Sequence, residues 1–225
     1  MLFRSVQLCK ERILSQSKAQ AIVVNSGNAN ACTGLEGYKN AVKMAEAAAA
    51  PLAIPQERVL VSSTGRIGVQ LPMDKISAGV AAAAKSLSRK GGAEAAMAIM
   101  TTDTRPKEVA VSFSVYGRTV TIGGMCKGAG MIAPDMHPPH ATMLCYISTD
   151  AAIDNESLSS FLSEAVELSF NRITIDGDMS TNDTVLILAN GASGVEIKKG
   201  SRDAAVFKSA LLMVAEHLAR SIVLD

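Results

Sequence analysis

Short apolar segments alternate along this chain with longer segments of helical periodicity, and this alternation constrains the fold more than any other feature. Residues 19–25 form a short, continuous apolar run that is typical of a buried strand, and residues 58–62 are predicted to form the next strand. Each leads into turn-forming residues. Residues 35–50 and 72–87 repeat their apolar side chains at helical spacing, and Pro51 is expected to end the first of these helices. Such an alternation predicts an α/β fold.

The second half of the chain continues this pattern with more strands. Alternating residues at 107–115 and 119–123 flank Tyr116-Gly117-Arg118 and predict a β-hairpin. Further strands are predicted at 143–148 and 184–189, and further helices at 93–100, from Asp154 or Asn155 to about Phe170, and after Ser201. No repeat or composition shift divides the chain, so we predict a single α/β domain over residues 1–225, a layered sandwich of mixed β-sheet and helices.

Composition excludes several classes of protein. The formal net charge is +1, only 4% of the residues are aromatic and no basic run occurs, which argues against a nucleic-acid partner. No apolar run approaches the roughly 20 residues that span a bilayer, and residues 1–7 lack the apolar core of a signal peptide. We therefore expect a cytoplasmic protein without a membrane partner. Its cysteines lack a CxxC pair and are predicted to be buried, reduced thiols: Cys9, Cys32, Cys126 and Cys145.

Glycine-rich polar stretches follow three of the predicted strands, at residues 25–34, 62–68 and 127–134. Each exposes backbone N–H groups that could cradle an anion or an oxyanion, although such stretches are more often tight turns. Neither a GxxxxGK[ST] loop nor a GxGxxG loop occurs, so no nucleotide cofactor is indicated. We expect no cofactor and no bound metal.

A threonine at the start of a predicted strand has the chemistry needed for self-cleavage. The Thr142 hydroxyl could attack the Ala141 carbonyl, and hydrolysis of the resulting ester would give Thr142 a free α-amine. That amine has an ordinary pKa of about 7.7 to 8.0 and could accept the hydroxyl proton near neutral pH. A strand threonine without any catalytic role is the alternative interpretation.

Six motifs in one order extend over nearly the whole chain: NSGNANACTG, SSTGRIG, IMTTDTRPK, KGAGMIAPDM, ATML and SFNRITIDGDMSTNDTVLILANG. Together they resemble the ornithine acetyltransferase family, also called bifunctional glutamate N-acetyltransferase. The resemblance implies a self-processing, threonine-nucleophile acetyltransferase of arginine biosynthesis. Its cleavage between Ala141 and Thr142 would give residues 1–141 and 142–225.

The same resemblance implies roles for individual residues. Thr142 would carry the acetyl group, and Thr64 and Gly65 would form the oxyanion hole. Lys127 and Thr104 would bind substrate, with Thr102 as the alternative to Thr104. N-acetylornithine and glutamate would be the substrates of a ping-pong reaction, acetyl-coenzyme A remains open as a further donor, and the two processed chains would associate, with an oligomer expected.

Two features depart from the family pattern. His137-Pro138-Pro139-His140 is inserted directly before Ala141, where the prolines could reposition the scissile bond. Its histidines could alternatively bind a metal with Cys126 or Cys145, although exposed loop histidines are the preferred interpretation. The family's additional N-terminal stretch, its later substrate-binding glutamate and its C-terminal Asn and Thr or Ser have no position here, so a fragment is expected.

The sequence leaves two other functions open. The first is a cleavage-incompetent, non-catalytic chain that only folds or associates. The second is an N-terminal-nucleophile amidohydrolase, in which water rather than glutamate releases the acyl group.

Overall fold

The computed structural model of the protein describes residues 4–16, 18–135, 143–180 and 182–225. The chain divides into two compact units, Met1–Thr101 and Thr102–Asp225. Both units combine β-strands with helices, as the alternation of apolar segments predicts. Among the described residues, no helix combines the length and the apolar character needed to cross a bilayer.

The first unit is built around two parallel strands that a helix connects. Strand β1 pairs with β2 in parallel from Ala21↔Val59 to Asn28↔Arg66, and α2 forms the crossover. The elements of this unit, in chain order, are α1 (Arg4–Gln16), β1 (Ala21–Asn28), α2 (Gly34–Leu52), a 3-10 turn (Gln56–Arg58), β2 (Val59–Arg66), α3 (Met73–Lys85) and α4 (Gly92–Ala98).

Helix α1 is absent from the sequence-based prediction because polar residues form part of its buried face. It buries Leu8 and Cys9 together with Ser5 and Arg12. The Cys9 thiol donates to the Val61 carbonyl at 3.1 Å, and the Arg12 guanidinium donates to the carbonyl of Val59. Strand β2 thus satisfies these buried polar side chains. Because polar residues occupy part of the buried face, the helix lacks the apolar periodicity by which such a helix is recognised.

The end of α2 differs slightly from the prediction that Pro51 stops the helix. Pro51 lies inside the last turn, and the helix continues to Leu52. Pro51 has no N–H to donate and its ring disfavours continued helix, and the helix ends one residue after it. Ala53 then adopts a left-handed conformation, with φ of 53°, and its N–H caps the helix.

The second unit is a four-stranded mixed sheet in the order β3-β4-β5-β6. The pairs β3–β4 and β4–β5 are antiparallel, whereas β5–β6 is parallel. Tyr116 and Gly117, both with positive φ, form the two-residue hairpin turn predicted between β3 and β4. The elements are β3 (Lys107–Val115), β4 (Arg118–Lys127), β5 (Leu144–Thr149), α5 (Asn155–Leu168), a 3-10 turn (Phe170–Arg172), β6 (Thr184–Ala189) and α6 (Arg202–Val223).

Helix α6 provides the largest part of the core of this unit by packing on β3 and β4, and α5 packs against α6. Both predicted helix caps are confirmed, since the Asp154 side chain accepts from Ser157 N and the Ser201 side chain accepts from Ala204 N. A Cβ at Gly124 would lie 3.0 Å from a methyl carbon of Leu218. The absent side chain therefore lets α6 lie close to the sheet.

Candidate functional site

Thr64 and Gly65 lie in the first unit within a strand, not in the loop that the sequence predicts. Strand β2 continues to Arg66, with Thr64 opposite Ser26 and Gly65 opposite Gly27 of β1. The predicted strand ends at Ser62, so the prediction of a loop is wrong for residues 63–66, because turn-forming residues on both strands pair with each other. The Thr64 side chain is buried.

Glycine is required at position 65 by both conformation and space. Its φ is +119°, and an added Cβ would lie 2.3 Å from the carbonyl carbon of Gly27. No real Cβ approaches backbone this closely, so the two strands would have to separate. The pairing of two glycines thus allows the backbones to come together beside Thr64.

We expect Gly65→Ala to destabilise the first unit by about 3 kcal/mol or more, because the strained φ adds to a backbone clash. Gly68→Ala is the matched control, since Gly68 has φ of +82° but nothing within 4 Å of an added Cβ. The control should lose only about 1 kcal/mol. Urea unfolding followed by circular dichroism measures both, and equal losses would contradict the steric argument.

Four charged residues of the second unit form a buried ion cluster, defined here as Asp103, Lys107, Lys127 and Asp225. The Lys107 ammonium lies 2.7 Å from Asp103 Oδ1 and 2.6 Å from Asp225 Oδ2. Lys127 Nζ lies 4.0 Å from Asp103 Oδ2. The side chains are almost entirely excluded from solvent. Each charge is therefore compensated within the protein rather than by water.

Backbone and hydroxyl donors complete this cluster. Gly128 N donates to Asp103 Oδ1 at 2.6 Å. Thr104 donates to the Asp225 carboxylate through its N–H, at 3.2 Å and 3.1 Å from the two oxygens, and through its hydroxyl. Thr104 and Lys127, both predicted to bind substrate, thus belong to one connected network.

Ionisation of the cluster follows from burial and hydrogen bonding. Hydrogen bonds from Lys107 and Thr104 lower the pKa of Asp225 to about 2. Burial lowers the pKa of Lys127, an effect that Asp103 opposes. Burial also raises the pKa of the neighbouring Cys126 thiol to about 12, which leaves it protonated and unreactive near neutral pH.

Lys127 is the last residue of β4 and faces the start of β5. It pairs in register with Leu144, which on its other side pairs with Thr184, the first residue of β6. Ends of three adjacent strands therefore meet at one edge of the sheet. Leu144 follows Thr142 by two positions in the sequence, so this edge lies immediately after the predicted nucleophile.

A buried carboxyl group, Asp183, lies at the same edge. Its Oδ1 accepts a hydrogen bond from the N–H of Met143. Burial raises its pKa to about 9, although the Met143 hydrogen bond and the charge of Lys127 both act in the opposite direction. Asp183 is therefore largely protonated at neutral pH in this chain.

The predicted cleavage site, Ala141 and Thr142, lies outside the described residues, as does the His137-Pro138-Pro139-His140 insertion. Within the described ranges, no group of His, Cys, Asp and Glu could hold a metal ion. All four cysteines are free thiols. The prediction of burial is confirmed for Cys9, Cys126 and Cys145 but is wrong for Cys32, which is exposed and has φ of 57° in the loop after β1.

Sequence reasoning missed four residues of this edge: Asp103, Lys107, Asp183 and Asp225. Asp103 is part of the quoted motif IMTTDTRPK, and Asp183 is part of the motif that ends in ILANG. A motif match does not reveal that a carboxyl group is buried. The partners of Asp225 lie 118 and 121 positions away, so no local pattern indicates them.

Solved structures of other proteins share this layered α/β architecture. An arginine biosynthesis bifunctional protein from Bacillus halodurans matches with a TM-score of 0.55 and 41% identity, over 59% of this chain and 69% of that chain. An ornithine acetyltransferase from Mycobacterium tuberculosis, solved with ornithine, matches with a TM-score of 0.50 and 39% identity, over 59% and 70%. The fold class is that of the ornithine acetyltransferases.

Sequence comparison identifies the family. The sequence model of the ArgJ family matches residues 3–225. An arginine biosynthesis bifunctional protein ArgJ from Symbiobacterium thermophilum is 55% identical over 92% of this chain and 50% of its own length. A glutamate N-acetyltransferase from Methanocaldococcus jannaschii is 48% identical over 98% of this chain and 54% of its own length. The chain belongs to the ArgJ family and spans about half the length of these curated relatives.

Proposed function

We propose that this chain is part of a glutamate N-acetyltransferase of arginine biosynthesis, which moves an acetyl group from N-acetylornithine to glutamate. The observation that carries the proposal is the identity of 48% to a glutamate N-acetyltransferase over 98% of this chain. Two proteins that share only a fold do not show such identity over nearly the whole chain. Its sequence also contains the quoted ATML motif, with a threonine suited to nucleophilic catalysis.

The first step in this proposal is self-cleavage at Ala141-Thr142. The Thr142 hydroxyl attacks the Ala141 carbonyl, the acyl group moves from nitrogen to oxygen, and water then hydrolyses the ester. The products are a carboxylate on Ala141 and a free α-amine on Thr142. That amine becomes the base that accepts the hydroxyl proton in the later steps.

The acetyl transfer itself then proceeds in two halves. The Thr142 hydroxyl attacks the acetyl carbonyl of N-acetylornithine, the amide bond breaks, and ornithine leaves with its amine protonated. The amine of glutamate next attacks the acetyl-threonine ester, which releases N-acetylglutamate and restores the Thr142 hydroxyl. Thr64 and Gly65 would donate hydrogen bonds to the oxyanion of each tetrahedral intermediate.

Lys127 and Thr104 remain the proposed substrate-binding residues. The Lys127 ammonium is buried, with its Nζ 4.0 Å from Asp103 Oδ2. An ammonium in such a position can form a charge-assisted hydrogen bond with a substrate carboxylate. The Thr104 hydroxyl already donates to Asp225. A substrate role for Thr104 therefore requires this bond to be exchanged or shared.

The sheet of the second unit favours continued association of the processed chains. Strand β4 precedes the proposed cleavage site and β5 follows it, yet the two pair directly from Ile122↔Thr149 to Lys127↔Leu144. Helix α6 also packs on β3 and β4 across the same division. Residues 1–141 and 142–225 would thus share one core after cleavage, and separating them would expose it to water.

Thr64→Ala is expected to lower kcat for acetyl transfer about 100- to 1,000-fold at a nearly constant KM. The reason is that an oxyanion-hole donor acts mainly on charge that develops in the transition state. Steady-state kinetics with N-acetylornithine and glutamate measure both constants. An increase in KM at unchanged kcat would instead assign Thr64 to ground-state binding.

Transfer assays that include and omit glutamate test the proposed function against its alternatives. The proposal predicts N-acetylglutamate from N-acetylornithine plus glutamate, and little free acetate. Acetate released without glutamate would indicate an amidohydrolase, and a single uncleaved chain without turnover would indicate a non-catalytic protein. Acetyl-coenzyme A in place of N-acetylornithine tests the second donor in the same assay.

A further inference from the structure

Asp103 lies between the two lysines of the buried ion cluster. Its Oδ1 accepts from Lys107 Nζ at 2.7 Å, and its Oδ2 lies 4.0 Å from Lys127 Nζ. The same Oδ1 accepts from the N–H of Gly128 at 2.6 Å. The Asp103 side chain is 0% exposed. One buried carboxylate thus faces the Lys127 ammonium and binds the peptide group that follows Lys127.

Lys107 and Asp225 hold Asp103 in place. Lys107 Nζ lies 2.6 Å from Asp225 Oδ2 as well as 2.7 Å from Asp103 Oδ1, and its side chain is 1% exposed. Lys107 is the first residue of β3 and pairs in register with Cys126, the neighbour of Lys127 in β4. The sheet therefore fixes the backbones of the two lysines relative to each other. Charge-assisted hydrogen bonds then leave the Asp103 side chain little freedom.

The backbone after Lys127 depends on the same carboxylate. Strand β4 ends at Lys127, and the next N–H, that of Gly128, donates to Asp103. Gly128 has φ of +154°, and an added Cβ would lie 2.9 Å from Cδ1 of Ile132. The chain therefore turns tightly at this point. Because the rotamers open to a side chain depend on its own backbone angles, the bond to Gly128 N also restricts the direction of the Lys127 side chain.

Asp103 also compensates the charge of Lys127. Burial lowers the pKa of Lys127, whereas Asp103 raises it; Lys107 acts with burial, and Asp183 and Cys126 act with Asp103. Burial raises the pKa of Asp183 to about 9 and that of Cys126 to about 12, so both are largely protonated at neutral pH. Asp103 therefore provides the negative charge that stabilises the ammonium form of Lys127.

We propose that Asp103 is a positioning residue, which holds the Lys127 ammonium in the orientation that binds a substrate carboxylate. This inference rests on the proposed function, in which Lys127 binds substrate. N-acetylornithine and glutamate both carry a carboxylate beside the nitrogen that gives up or accepts the acetyl group, so one fixed ammonium can serve both half-reactions. Such a contact is made in the ground state and the transition state alike, so its loss should act mainly on KM.

A double-mutant cycle in the full chain tests the inference with Asp103→Asn, Lys127→Met and the double variant. Asparagine preserves the shape of the Asp103 side chain and one acceptor oxygen but removes the charge. Asp150→Asn is the matched control, because Asp150 Oδ1 also accepts a backbone N–H, that of Thr121 at 2.8 Å, at the end of β5 opposite Leu144. Steady-state kinetics give kcat and the KM of each substrate, and circular dichroism shows whether each protein is folded.

Asp103→Asn is expected to raise the KM of both substrates at least about tenfold, while kcat falls less than about threefold. The double variant should resemble Lys127→Met alone, because Asp103 acts through Lys127. Asp103→Glu should recover part of the substrate affinity, and Asp150→Asn should match the wild type. If Asp103→Asn does not fold, Asp103→Glu takes its place in the cycle, since it keeps the charge but displaces the carboxylate, and a smaller rise in KM is expected.

Three results would overturn the inference. Effects that multiply in the double variant would assign Asp103 a structural role independent of Lys127, and a fall in kcat at unchanged KM would exclude a role in binding the substrate carboxylate. Both results leave the proposed function intact. If the wild-type chain transfers no acetyl group, the proposed function fails and the inference fails with it.

Discussion

Replacing Thr142 with alanine is expected to abolish self-cleavage and to lower acetyl transfer by at least about a thousandfold. The substitution removes the attacking oxygen of both reactions, and loss of a nucleophile is among the largest single effects seen in enzymes. Cleavage is read from a denaturing gel, as one band in place of two. Transfer is read from N-acetylglutamate formation.

Two further substitutions test which chemical property of the Thr142 side chain each reaction requires. Thr142→Ser retains the hydroxyl and should keep some of both activities. Thr142→Cys can still perform the acyl shift but forms a thioester, so cleavage is expected to survive while turnover changes. A fully active Thr142→Ala protein would end the nucleophile hypothesis.

Asp103→Ala is expected to destabilise the second unit by about 3 to 5 kcal/mol, because it leaves two buried lysines without their shared counter-ion. Asp103 accepts from Lys107 at 2.7 Å and from Gly128 N at 2.6 Å, and it faces Lys127. Glu196→Ala is the control, since the Glu196–Lys198 pair is exposed and should be worth less than about 1 kcal/mol. Denaturant unfolding followed by circular dichroism measures both.

The pH dependence of the Asp103→Ala deficit provides an independent check. Burial lowers the pKa of Lys127 in the folded chain. Asp103 opposes this effect, so Asp103→Ala should lower the pKa of Lys127 further. A lowered lysine pKa means that the unfolded chain binds more protons, so the stability of the variant should rise more steeply than that of the wild type as the pH approaches the ordinary lysine pKa near 10. The deficit should therefore shrink between about pH 7 and pH 10. A deficit that is constant over this range would mean that uncompensated lysine charge is not its cause.

Most strands and helices could be predicted from the sequence because their periodicity is local. The apolar runs that precede Asn25 and Ser62 are strands, and Ser201 caps α6 as expected. The strands extend further than predicted because Gly27 and Gly65 pair with each other. Taken singly, each glycine favours a turn, so the sequence predicts a loop at both positions. Helix α1 was missed because Arg12 is satisfied by β2, a contact between distant parts of the sequence.

The candidate site was less predictable for the same reason. The family motifs identify Lys127 and Thr104, which the structure brings into one network. Their roles, and those of Thr64, Gly65 and Thr142, remain predictions. The motifs contain Asp103 and Asp183 as well, but burial alone distinguishes these residues from ordinary surface carboxylates. Burial depends on how strands from distant segments meet, which no single motif encodes.

Mass mapping of the acetylated protein tests the central claim most directly. The wild-type chain is incubated with N-acetylornithine in the absence of glutamate, and its fragments are analysed by intact mass and by peptide sequencing. The proposed mechanism predicts a new N-terminus at Thr142 and one added acetyl group on the hydroxyl of Thr142, which disappears when glutamate is supplied. Acetylation at another residue, or cleavage at another bond, would contradict the account.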